Sequence, residues 1–256
     1  GYMGKQISSL LTIIGFDVLI WQKNNNNLRD DINKEIRKIE KVLKIKSIGS
    51  LKITNDLKKL ENNLTIETVV ENLKIKKEIL ENLNYKENLF SNTSSIKLSS
   101  IGSNINALHF MNPVTIKLIE LCKIGNFDDR KLNQLIIELK KISYEILSVV
   151  DSPGFIVNKI LFKDISFFFF LLEKKKEKID DVNKIFSERK KSNDLKNELQ
   201  KTDPLKLVNR IGVDTCLNIL INLNKFDDKY YVPKMLRDSV NLNILGNKNK
   251  TQFKIL

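Results

Sequence analysis

Two hydrophobic periods alternate along the first 150 residues. Apolar positions over 4–14 recur at helical spacing, Gly15 closes that stretch, and Phe16-Asp17-Val18-Leu19-Ile20-Trp21 follows as a β-like run. A charged helix is expected over 28–44, with Ile32, Ile36, Ile39 and Leu43 on one face. The pattern then predicts a short strand over 51–53, a β-rich stretch over 64–70 and a helix over 74–83. Strands are expected again over 107–110 and 115–122. Leu132, Leu135, Ile136, Leu139 and Ile142 mark an amphipathic helix, and a last strand is expected over 146–150. Short apolar runs separated by helices read as βαβ units around a mostly parallel sheet.

Past residue 150 the alternation stops. Ser152-Pro153 reads as a helix start, with Ser152 as N-cap and Pro153 at the first helical position. Helices are expected near 154–173, 178–191, 204–223 and 233–242, with no strands between them. These patterns divide the chain into an α/β part, 1–150, and an all-α part, 151–256. No internal repeat is evident.

Composition narrows the function classes. A chain of 256 residues with 41% hydrophobic content and thirteen Phe can bury real cores. Lys and Arg exceed Asp and Glu by 44 to 31, a net charge of +13. That excess first suggests a polyanionic partner. Yet lysines alternate with acids, as over 174–181, which reads as a solvated face and argues against nucleic acid. Asn-rich stretches such as Asn24 to Asn27 point to compositional drift behind part of the charge. Two cysteines and a single histidine exclude a disulfide framework and a multi-histidine metal site, and favour a reducing compartment. No apolar run approaches the length of a transmembrane helix. Because the chain starts at Gly1 rather than Met, processing or truncation is possible, and any targeting segment would precede it.

Candidate chemistry begins at the first residue. Gly1-Tyr2-Met3-Gly4 opens a helix that a strand ending in Trp21 follows. This is the back half of a Gly-x-Gly-x-x-Gly dinucleotide fingerprint. Its second glycine admits a pyrophosphate to a helix N-terminus, and its third lets helix and strand pack closely. The first strand and first glycine of that fingerprint are absent. Gln22 stands where an acidic residue would bind the ribose hydroxyls, with Lys23 beside it. Taken singly these residues have ordinary readings: a helix cap for the glycines, a solvated lysine for Lys76 or Lys248, a structural histidine for His109.

Three further segments, taken together in order, carry a resemblance. They are Phe90-Ser91-Asn92-Thr93-Ser94-Ser95, Leu108-His109-Phe110-Met111-Asn112-Pro113 with Lys117-Leu118-Ile119-Glu120, and Asp151-Ser152-Pro153-Gly154-Phe155-Ile156-Val157-Asn158-Lys159. Val69 to Lys76 and Ile211 to Thr215 fit the same set. The chain resembles the 3-hydroxyacyl-CoA dehydrogenase family from Gly1 to about Phe253. The resemblance implies an NAD-binding Rossmann-like domain over 1–150, lacking its first strand, and a helical substrate and dimerisation domain over 151–256. It implies interconversion of 3-hydroxyacyl-CoA and 3-ketoacyl-CoA in fatty acid β-oxidation, with an acyl-CoA substrate and a homodimer or larger assembly.

The residue roles follow from the same resemblance. His109 would act as general base and acid, oriented by Glu120, with Asn112 and Asn158 positioning substrate and catalytic groups. Gly1, Met3, Gly4, Gln22, Glu71, Lys76, Ser94, Asn112 and Lys248 would contact the dinucleotide. Ser94 and Asn158 would contact substrate. Two departures bear on this. The link from His109 to Glu120 is one residue shorter than in the family, in the turn around Val114-Thr115, with strand phase kept. The tail after Gly246 lacks the family's later glycines. The alternative reading is a degenerate relative retained as a structural subunit, and the expected location is the mitochondrial matrix or, failing that, the cytoplasm.

Overall fold

The computed structural model describes residues 1–23, 28–83, 87–188 and 203–255. It divides into two compact units, Gly1–Ser152 and Pro153–Leu256.

The first unit runs α1 (Tyr2–Ile13), β1 (Val18–Trp21), α2 (Leu28–Leu43), β2 (Leu51–Thr54), β3 (Thr65–Glu67), α3 (Leu73–Glu81), β4 (Leu89–Ser91), α4 (Leu98–Ile101), β5 (Asn106–Phe110), β6 (Leu118–Cys122), α5 (Asp129–Lys141) and β7 (Glu145–Ser148), with a single 3-10 turn at Leu57–Leu60. Four of its five strand pairs are parallel, as the alternating pattern predicts; only β5 and β6 run antiparallel. The strands form two sheets, β1-β2 and β3-β4-β5-β6-β7. Leu10, Ile13, Phe90, Leu108, Ile119, Leu132 and Leu139 make up the centre of the core between sheet and helices. The unit is therefore Rossmann-like.

A cleft separates the two sheets. Val18 and Gln22 give their N–H groups to Ser50 and Thr54 of the β2 side. Alternation along a parallel ladder therefore turns the peptide groups of Leu19 and Trp21 away from β2. On the other sheet Thr65 donates to Asn88 and Glu67 accepts from Asn92, which turns those of Ile66 away from β4. All of β1 and β3 line one cavity of about 570 Å³, together with Ile7 and Leu11 of α1 and Leu135 of α5. Among the described residues no strand occupies it. This gap is where a strand preceding α1 would lie, between β1 and β3.

Several expected boundaries shift. The stretch expected as β over 64–70 keeps strand geometry only to Glu67, whose carboxylate takes the Val69 N–H at 2.6 Å and turns the chain out of the sheet. The strand expected over 115–122 begins at Leu118, because 113–116 form a turn closed by Ile116 N–H to Pro113 C=O. The last strand is Glu145–Ser148 rather than 146–150. Strand β4 escapes the pattern entirely: three residues, all buried, show no alternation.

The second unit contains only helices as regular elements among its described residues: α6 (Val157–Lys174), α7 (Ile179–Glu188), α8 (Pro204–Ile211), α9 (Val213–Phe226) and α10 (Lys234–Asn241). Its core centres on Phe162, Phe168, Phe169, Val208, Cys216, Leu220 and Leu236. The expected cap at Ser152-Pro153 does not form. Gly154 and Phe155 take positive φ, and α6 begins only after Ile156, with no side-chain cap. The helix expected over 204–223 is broken in two at Gly212 (φ +106), a conformation that other residues rarely adopt. Residues 189–191 of the expected 178–191 helix lie outside the described residues.

Candidate active site

Strand β5, between β4 and β6, is buried at every position. Its antiparallel partner β6 sets His109 directly opposite Glu120. His109 Nδ1 lies 2.7 Å from Glu120 Oε2, and Glu120 is fully buried. An imidazole held by a carboxylate on one nitrogen has its ring plane and tautomer fixed. The turn between them is anchored at Val114 from both sides. Val114 N–H donates to Gln6 Oε1 at 2.9 Å, and Val114 C=O accepts from the Tyr144 hydroxyl. Burial holds that phenol above its usual range. These bonds hold the turn that joins the two paired strands.

A second cluster lies at the ends of β3 and β4. Glu71 Oε1 accepts from the Ser94 N–H (3.0 Å), the Ser95 N–H (2.9 Å) and the Thr93 hydroxyl (2.7 Å). Burial pushes the Glu71 carboxyl up, but the Lys76 ammonium and these hydrogen bonds outweigh it and hold it below the ordinary carboxylate range. Asn92 of the same loop accepts the Phe110 N–H at 2.8 Å, which ties the loop to the strand that carries His109. Lys76 is almost fully buried, not solvated, with its Nζ 2.9 Å from both oxygens of Glu67.

The glycines are placed for close packing. A Cβ on Gly4 would come within 2.6 Å of Thr68 Oγ1, so α1 starts hard against the end of β3. Met3 packs on the unit's core, and Gln22 directly follows β1 with its N–H bonded to Thr54. Asn112 is exposed just past β5, joined to Pro113 by a cis peptide bond. Asn158 lies in the first turn of α6, and Lys248 pairs with Asp214 at 2.8 Å; both belong to the second unit.

Two roles escape the sequence reading. Asp151, named there only as the start of a motif, caps α4 by accepting from the Leu98 and Ser99 N–H groups (2.7 and 3.0 Å), and Glu67 joins β3, β4 and α3. The cap has no local signal, since Asp151 is 53 residues from Leu98; Glu67 is visible only as an acid inside a β-rich run.

A dinucleotide fits this geometry at three points. The first-turn N–H groups of α1 lie at the helix end that favours anions, and glycines at positions 1 and 4 put no side chain of their own there. Gln22 supplies an amide at the end of β1. The loop held by Glu71 follows β4, which neighbours β3 in the strand order. A largely parallel sheet with a helix N-terminus at its strand ends and a buried histidine–carboxylate pair defines a nucleotide-dependent oxidoreductase of Rossmann type.

The family is shown by sequence. Residues 1–152 match the model of the 3-hydroxyacyl-CoA dehydrogenase NAD binding domain, and the chain belongs to the 3-hydroxyacyl-CoA dehydrogenase family, as a dehydrogenase with NAD as its cofactor. It is 28% identical to the probable 3-hydroxybutyryl-CoA dehydrogenase of Deinococcus radiodurans, over 99% of this chain and 96% of that one. It is 26% identical to the human mitochondrial hydroxyacyl-coenzyme A dehydrogenase, over 98% and 85%. Its fold is similar to that of the (S)-3-hydroxybutyryl-CoA dehydrogenase PaaH1 from Ralstonia eutropha, with a TM-score of 0.74, 24% identity and coverage of 100% and 95%.

Proposed function

We propose that this chain interconverts 3-hydroxyacyl-CoA and 3-ketoacyl-CoA, with His109 as the proton-transferring residue and Glu120 as its partner. The observation that supports this best is the buried 2.7 Å contact between His109 Nδ1 and Glu120, set by strand register. In the oxidative direction the substrate hydroxyl loses its proton to His109 Nε2 as the C3–H bond breaks. Glu120 stabilises the imidazolium that results and keeps Nε2 aimed at the substrate. NAD, when bound, takes up the hydride from C3. In the reductive direction His109 returns its proton to the carbonyl oxygen.

The remaining roles complete the reading. Asn112 and Asn158 orient substrate, Ser94 contacts both substrate and cofactor, and Gly1, Met3, Gly4, Gln22, Glu71 and Lys248 serve the dinucleotide. The direct contact expected of Lys76 is withdrawn, because its buried ammonium is taken by Glu67 and Glu71. The second unit carries the dimer contact; Ile156, just before α6, and Ile160 and Phe167 within it are exposed, an apolar face suited to a second copy. Of the Phe167 to Phe170 run, Phe168 and Phe169 are core and only Phe167 is prominently exposed. The matrix of the mitochondrion is the proposed location, in keeping with a mitochondrial relative and a basic chain.

A second reading is favoured by one observation. The neutral Gln22, in place of an acid, weakens the hold on the ribose hydroxyls, as expected of a degenerate relative kept for assembly. Oxidation of NADH with acetoacetyl-CoA decides between them. The enzyme reading expects wild-type turnover and a loss of roughly a hundredfold or more in His109→Gln with NADH binding kept. A wild type that neither turns over nor binds NADH overturns it.

A further inference from the structure

Glu67 has no role in the scheme above, yet it is among the most heavily bonded side chains of the first unit. It ends β3 opposite Ser91 of β4 and is buried. Its Oε1 accepts from the Val69 N–H (2.6 Å) and Lys76 Nζ (2.9 Å). Its Oε2 accepts from Lys76 Nζ (2.9 Å) and the Ser91 hydroxyl (2.6 Å). Lys76 Nζ also lies 3.3 Å from Glu71 Oε2. An ammonium has three protons, and three carboxylate oxygens surround this one. Lys76 is thus committed inward, to two carboxylates, and not to a phosphate.

Such a buried carboxylate–ammonium–carboxylate row is a poor device for stability. Desolvation offsets most of its Coulombic gain, and apolar replacements of similar volume are often as stable. What it supplies is direction. Lys76 holds one oxygen of Glu71, which leaves the other aimed at the amides of Ser94 and Ser95. Ser91 Oγ, held by Glu67, accepts the Thr93 N–H at 3.0 Å. Both routes from Glu67 therefore end on the same loop, 93–95.

We propose that Glu67 is a positioning residue for the cofactor: through Lys76 and Ser91 it presets Glu71 and the 93–95 loop before the dinucleotide arrives. This rests on the proposed function for the placement of Ser94 at the cofactor. Lys76, by the same geometry, acts through Glu71 as a second positioning residue.

Glu67→Gln tests it. Every partner of Glu67 donates, so an amide of the same shape sets its NH2 against a donor and the row loses its hold. Three readouts are needed: NADH affinity by fluorescence titration, amide exchange at Ser94 and Ser95 in the ligand-free protein by NMR, and the melting temperature. A weakening of NADH binding by about tenfold is expected, carried by KM for NADH rather than by kcat. Exchange at Ser94 and Ser95 should rise by a similar factor. Glu67→Gln combined with Glu71→Ala should be no worse than Glu71→Ala alone, since both act through one carboxylate. Glu67→Asp, which keeps the charge but shortens the reach, should recover part of the loss. Unchanged exchange at both serines alongside a lowered melting temperature overturns the proposal and makes Glu67 a structural ion. If the wild type binds no NADH, the proposed function fails while the exchange measurement still decides whether Glu67 orders the loop.

Discussion

Within the first unit, the β5–β6 pair and the β1–β3 gap are opposites. His109 and Glu120 are joined by a complete ladder, lie in a continuous core and meet at 2.7 Å. Leu19, Trp21 and Ile66 instead turn their peptide groups into a cavity of about 570 Å³ that no described strand fills. The difference teaches that the His109–Glu120 pair and the nucleotide end, which the proposed function joins, draw on separable parts of this fold. The first needs only the register of two adjacent strands. The second needs strand ends on both sides of the gap to hold a common frame.

The sharpest way to break that contrast is amide exchange along the strands. Leu108 and His109, flanked by β4 and β6, should exchange at least about a hundredfold more slowly than Leu19, Trp21 and Ile66, read by NMR. Equal protection would mean that the β1 and β3 edges are covered after all.

A smaller effect is expected at the start of α1. Gly4→Val places new atoms against Thr68, where even a Cβ would sit 2.6 Å from Oγ1. A loss of about 1–3 kcal/mol in stability is expected from overpacking, measured by denaturant unfolding, with part of it recovered by Thr68→Ala. Proton transfer at His109 should be little changed at saturating cofactor. A variant as stable as wild type would show that α1 is not held against β3.

The contrast also explains what could be read from sequence. Amphipathic α5 and the buried strand β5 were legible because each pattern is long or continuous: Leu132, Leu135 and Leu139 fall on one buried face, and β5 is buried throughout. The three-residue β3 and β4 carry too little pattern to be bounded, and a carboxylate, that of Glu67, ends the first of them. His109 and Glu120 were named by motif, but their pairing follows from the β5–β6 register, and the turn between them is tied to Gln6 and Tyr144, distant in the chain. Glu67 was missed because its partners, Lys76 and Ser91, come together only when α3 and β4 pack beside β3. The basic charge that opened toward nucleic acid has a narrower part here, since Lys76 and Lys248 spend theirs on Glu67, Glu71 and Asp214.

The central claim is that His109 and Glu120 act as one proton-transferring unit. A double-mutant cycle on turnover of acetoacetyl-CoA with NADH tests it most directly, comparing wild type, His109→Gln, Glu120→Gln and the double variant at saturating NADH. The account predicts that each single change lowers kcat by roughly a hundredfold or more and that the double variant is no slower than His109→Gln within a few-fold. Losses that multiply in the double variant, or a His109→Gln enzyme as fast as wild type, would contradict it.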